Sequence, residues 1–183
     1  MKRWDKSYTR AIITVVVIII MFGLFHWLDN RSYSFDGSDE LSSRLENWSP
    51  QTAEKAESQD SQGEILFYSI DSFKHYLFLK EYVGPGQANR KFLKSNIRSI
   101  DEVGLIAVLY YNADPSGTYS NGATAYTVTC TVYILDKDLR ILAQDSLSGS
   151  APSSTTSGGD RYGDYPDEAK CKDLALKLIS NLQ

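Results

Sequence analysis

The chain has 183 residues, with 19 Lys plus Arg against 23 Asp plus Glu, a formal net charge of -4, two cysteines and two histidines. That length is one domain's worth of chain; a zinc site of two Cys and two His would consume every such residue, and an acidic surface is a poor partner for nucleic acid. The mean hydropathy of -0.31 averages over a segregated sequence, because residues 11–28 contain no Asp, Glu, Lys or Arg.

Residues 1–10 carry Lys2, Arg3, Lys6 and Arg10 against Asp5, a net of +3, which leaves -7 for the remainder. The run from Ala11 to Leu28 that follows has 15 apolar residues in 18, interrupted by Thr14, Gly23 and His26. As a helix it spans roughly 27 Å, close to the ~30 Å hydrocarbon core of a bilayer. A cleaved leader would have a shorter apolar stretch and small residues at its exit, whereas this run leaves through Phe25, His26, Trp27 and Leu28. No cysteine near the exit is placed to accept a lipid. The pattern predicts an uncleaved single-pass signal-anchor, with the positive flank holding residues 1–10 in the cytoplasm. Trp4 and Trp27 suit the two headgroup regions, and His26, at the outer end, suits the same environment.

Residues 29–62 contain eight serines and few aliphatics, which predicts a flexible linker with an end-to-end distance of roughly 30 Å. Within it Leu41, Leu45 and Trp48 recur at helical spacing behind Ser38, a candidate N-cap, so a short amphipathic turn there is the alternative to a plain tether.

Residues 63–183 read as one globular α+β domain built on a mainly antiparallel sheet of four or five strands with a C-terminal helix packed on one face. Gly63 to Ile70 is β-rich, and Lys74 to Val83 fits either a strand or a helix. Gly104 to Tyr111 is apolar on both faces, as in an interior strand, with turn chemistry at Asp114-Pro-Ser-Gly117 and Asn121-Gly122. From Ala123 to Asp136, Tyr126, Val128, Cys130, Val132 and Ile134 alternate with Thr127, Thr129 and Thr131, a half-buried strand. A turn at Asp136-Lys-Asp138 leads to Leu139–Leu147, completing a three-strand meander. Residues 148–166, rich in Gly, Ser and Pro, form a loop. A last helix then opens with Pro166 in its first turn, with Asp164 at a cap-like spacing and Asp167 and Glu168 at the positive end of the dipole. Cys171, Leu174, Ala175, Leu178 and Leu182 form its apolar stripe.

The order of landmarks from residue 63 onward resembles a widespread family of uncharacterised bacterial secreted or membrane-anchored domains. The shared features are Gly63-Glu-Ile-Leu-Phe-Tyr, Ile97-Arg-Ser-Ile-Asp-Glu-Val103, Gly117-Thr-Tyr119, Ala125-Tyr126 leading to Cys130, Val132-Tyr-Ile-Leu-Asp136, Ser148-Gly149 with Pro152, and Gly163 with Pro166. The resemblance implies a tethered sheet with a terminal helix, and it carries no catalytic residue.

Candidate chemistry is sparse. Asp160, Asp164, Asp167 and Glu168 lack the Asp-x-Asp-x-Asp-Gly spacing of a calcium loop and read as capping and loop-solvating residues. Gly158 and Gly163 have a phosphate-loop separation, but Asp164 stands where the lysine belongs. His75 is the domain's one imidazole. Seven tyrosines, at 110, 111, 119, 126, 133, 162 and 165, offer flat faces with polar tips; Tyr119, Tyr162 and Tyr165 fall in predicted loops and are the candidate ligand surface. Cys130 and Cys171 point into the same core by their periodicities and form a candidate disulfide if the domain is extracytoplasmic. The sequence thus points to no catalytic residue, metal or cofactor. It points to a membrane-anchored binding or assembly module with an envelope protein or cell-wall partner; an envelope-polymer hydrolase and an accessory or sensor subunit of a membrane complex are the alternatives.

Overall fold

Six apolar residues within the seven from Val103 to Leu109, interrupted only by Gly104, require a strand covered on both sides, and this strand is the centre of the fold. The computed structural model describes residues 14–15, 33–56, 63–72, 74–75, 80–81, 89–154 and 158–182. The chain divides into a unit of residues 1–32, of which Thr14 and Val15 are described and helical, and a folded unit from Tyr33 onward. Among the described residues no helix is long and apolar enough to cross a membrane; the expected anchor, 11–28, lies outside them except at Thr14 and Val15.

The folded unit is α+β. Its six-stranded sheet contains β1 (Glu64–Asp71), β4 (Asn89–Phe92), β5 (Val103–Thr118), β6 (Thr124–Leu135), β7 (Ile141–Ser148) and β8 (Arg161–Tyr162). The order is β4-β1-β5-β6-β7, with β8 also on β6. β1 and β5 pair in parallel, as do β6 and β8, while the remaining pairs are antiparallel. β5, β6 and β7 form the expected meander. The segment from Lys74 contributes β2 (Lys74–His75) and β3 (Lys80–Glu81), which pair with each other in a separate antiparallel ribbon; the side chains of both, His75 included, lie outside the described residues.

Alternation along the strands divides the core in two. Leu66, Tyr68, Ile70, Ile106, Val108 and Leu135 face one side, and Leu105, Ala107, Leu109, Cys130, Val132 and Ile134 face the other. The second side is covered by helix α2 (Glu168–Ser180) through Cys171, Ala175 and Ile179, with Leu174, Leu178 and Leu182 at its margins. Asp167, one residue after Pro166, is the N-cap, its carboxylate accepting from the Ala169 N–H at 2.8 Å. Pro166 therefore precedes the helix and does not occupy its first turn.

The first side is covered by residues expected to form a tether. Helix α1 (Ser38–Glu46) places Leu41, Leu45 and, just beyond it, Trp48 in the core at 2%, 0% and 7% exposure. The flexible-linker expectation for 29–62 therefore fails over residues 33–56, and the sheet carries a helix on each face where one was expected. The physical reason is that three large side chains on one stripe suffice to dock a short helix, whatever the polarity of the residues between them. Backbone bonds secure its entry, from the Asp36 N–H to the Arg98 carbonyl and from the Ile100 N–H to the Asp36 carbonyl, both at 2.9 Å. At its other end Arg90 Nη1 donates to the Leu45 carbonyl at 2.7 Å. Gly37, at φ +82, is the N-cap in place of Ser38, and a Cβ on it would stand 2.8 Å from Ile100 Cγ2.

One expected turn is instead strand. β5 continues through Asp114-Pro-Ser-Gly117 to Thr118, with a register shift between Pro115 and Gly117. β1 pairs with β5 only as far as Tyr111, so beyond that point no described strand pairs with that edge of β5, and edge positions are where strands admit proline. The chain reverses at residues 119–123, where Tyr119 and Ala123 are bonded and Gly122 has φ +85.

Candidate functional site

The acidic residues of the 158–168 segment each serve a local bond. Asp160 Oδ1 accepts from the Thr124 N–H at 2.7 Å, Asp164 Oδ2 accepts from Ser150 Oγ at 2.8 Å, Asp167 caps α2, and Glu168 pairs with Lys172 at 2.7 Å. No group of three or more His, Cys, Asp or Glu side chains suited to a metal occurs among the described residues. The loop around them is clasped at its base. A Cβ on Gly149 would lie 1.9 Å from the Asp164 carbonyl oxygen, and one on Gly163 would lie 2.0 Å from that of Ser150; only glycine permits two backbones this close. At its tip, Asn121 Nδ2 donates to the Gly158 carbonyl at 3.2 Å and the Tyr119 hydroxyl donates to that of Ser153.

The three loop tyrosines meet three different partners. Tyr119 is held through its hydroxyl as just described. Tyr162, on β8, stacks on Tyr126 with centroids 4.7 Å apart and planes at 12°. Tyr165 packs on Tyr111 at 5.6 Å and its hydroxyl donates to Asp71 Oδ2 at 3.1 Å. Burial raises the hydroxyl pKa of both Tyr162 and Tyr165, and for Tyr165 the neighbouring Asp71 carboxylate raises it further. Sequence spacing does not reveal Tyr111 and Asp71 as partners of Tyr165, because their meeting depends on the parallel β1/β5 register, in which these two residues are paired.

Cys130 and Cys171 do come together. Both are free thiols with 0% exposure in the same core cluster. Cys130 lies cross-strand from Tyr111, and Cys171 is buried in the same cluster as both. The contact with Cys171, followed by burial, pushes the Cys130 thiol up; the same contact pulls Cys171 down, against burial. Burial, followed by the two sulfurs, raises Tyr111.

An open cavity of about 280 Å³ lies between the end of α1 and the β6–β7 turn, lined by residues that include Arg44, Trp48, Glu54, Asp138 and Arg140. Several of its polar groups are used internally. Arg44 Nη2 donates to the Lys137 carbonyl at 2.7 Å and Trp48 Nε1 to the Leu139 carbonyl at 3.1 Å. Arg140 binds the buried carboxylate of Asp136 at 2.7 Å and reaches Asp138 at 3.4 Å. The Asp136 carboxylate also accepts from the Asp138 and Arg140 N–H groups, each at 2.9 Å, closing a turn in which Leu139 takes φ +65. The sequence marks this turn through Asp136 and Asp138 but not the cavity, whose other wall comes from the presumed linker.

No family model matches the chain, and no curated protein or solved structure matches it.

Proposed function

We propose that this is a single-pass membrane protein whose α+β domain lies outside the cytoplasm and serves as a binding or assembly module of the cell envelope. The observation that carries the reading is the uncharged 18-residue run with its +3 flank, followed after residues 29–32 by a folded unit beginning at Tyr33. A binding role is supported by the way Asp136, the acids of the 158–168 segment and the two cysteines are engaged: a cap, turn closures and core contacts hold them, leaving a mixed polar surface for a partner, either an envelope protein or cell-wall material. Tyr162 and Tyr165, beside the clasped 149–166 loop, are the positions at which to look for it.

Protease added outside intact cells or spheroplasts should digest the domain and spare residues 1–10; a domain protected until lysis overturns the topology. The detergent-solubilised full chain should sediment with isolated wall polymer, or give photocrosslinks from positions 162 and 165 to one envelope protein in intact cells. Catalytic release of soluble fragments from that polymer would instead establish the hydrolase alternative. Crosslinks confined to residues 1–10 and a membrane complex would favour the accessory or sensor subunit.

A further inference from the structure

We propose that Cys130 and Cys171 form a redox latch, closing as a disulfide that fastens the terminal helix to the sheet. The geometry is specific. Cys130 sits in the middle of β6, and Cys171 lies in the first turns of α2 on the stripe that meets β6. Both have 0% exposure in one cluster with Ala107, Leu109, Val132 and Ala175. Two elements separated by the whole of β7 and the clasped loop bring both cysteines into one buried cluster.

Closure follows ordinary thiol–disulfide exchange. The Cys171 thiolate, favoured by its place near a helix N-terminus, attacks one sulfur of an external disulfide, such as oxidised glutathione or an oxidoreductase. One thiol of that reagent leaves. Cys130 loses its proton and attacks Cys171 Sγ, expelling the second thiol. Two S–H bonds are lost and one S–S bond forms, and the two electrons and two protons end on the reagent as two thiols. Because both sulfurs are inaccessible when α2 is seated, exchange occurs before the helix docks or when it lifts. The chemistry holds in either compartment; the compartment sets only which state is populated.

The test uses the full chain in detergent, equilibrated over a series of reduced-to-oxidised glutathione ratios, denatured, and alkylated. One intramolecular Cys130–Cys171 peptide should appear, and it should survive at ratios about 100-fold more reducing than those that open the same bridge in denatured chain. Its rate of formation in folded protein should level off with rising oxidised glutathione, as helix opening becomes limiting. Two titratable thiols at every ratio, or glutathione adducts alone, overturn the latch. Reductant should lower the melting temperature of the closed protein by about 10 °C and leave a C130A/C171A variant unmoved; equal insensitivity in both overturns the claim that the bond fastens the helix.

Discussion

The two faces of the sheet are covered in ways that look unrelated in sequence. The α2 face is closed by an amphipathic helix with a continuous stripe, a carboxylate N-cap and negative charge in its first turn. The other face is closed by nine residues of helix with no side-chain cap, embedded in serine-rich chain. Leu41, Leu45 and Trp48 each contribute about 1.5–3 kcal/mol on burial, and the covering is completed by an edge-on contact of Trp48 with Tyr133 at 5.3 Å and a parallel bridge from Lys55 to Ile141. A cover is defined by which side chains reach the sheet. The mean composition of its window says little about it.

The largest test of this comparison is deletion of residues 33–56. Exposing Leu66, Tyr68, Ile106 and Val108 should abolish cooperative unfolding, followed by circular dichroism; a melting temperature within a few degrees of the parent would restore the tether. Alkali probes both faces at once. Burial raises the hydroxyl pKa of Tyr68 on the α1 face and of Tyr111 on the α2 face above the ordinary 10.0. The folded state therefore holds protons that the unfolded state releases. The contribution of these two hydroxyls to stability is constant below about pH 10 and falls above it by about 1.4 kcal/mol per pH unit for each. Tyrosinate absorbance should rise together with loss of structure; a full rise with the fold intact would contradict the burial.

Single truncations sharpen the contrast. Leu45→Ala, at a position with 0% exposure, should cost about 3–4 kcal/mol in urea unfolding, and Ile179→Ala, at 6%, about 2–3 kcal/mol. A Leu45→Ala cost below 1 kcal/mol would make the α1 cover marginal. Smallest of all, Asp167→Ala should cost about 1 kcal/mol by removing the only side-chain cap at either helix start, a loss measurable by the same denaturation.

The legible elements were those whose period is imposed by one nearby face. Cys130, Val132 and Ile134 alternate with their neighbours because one side of β6 meets α2, and each has 0% exposure. Cys171 and Ala175 carry the matching helical period. What escaped depended on distant partners. Pro115 lies where β1 no longer pairs with β5, and Leu41 and Leu45 are core residues because Leu66, Tyr68, Phe92, Ile106 and Val108 from β1, β4 and β5 join them in one cluster. The same limit governs the candidate surface: of the three tyrosines placed in loops, Tyr162 lies instead on β8, paired with Tyr126, and the partners Tyr126, Tyr111 and Asp71 follow from strand register.

The α1 cover also dictates an order of events in time. Trp48 donates to the carbonyl of Leu139, 91 residues later, and Arg44 to that of Lys137, 93 residues later. During synthesis at about 5–20 residues per second, the amphipathic 38–48 stretch therefore waits several seconds before its landing surface exists. Pairing at such sequence separation makes closure of this face a slow step. A nascent chain stalled before residue 135 would present Leu41, Leu45 and Trp48 to whatever holds unfolded polypeptide.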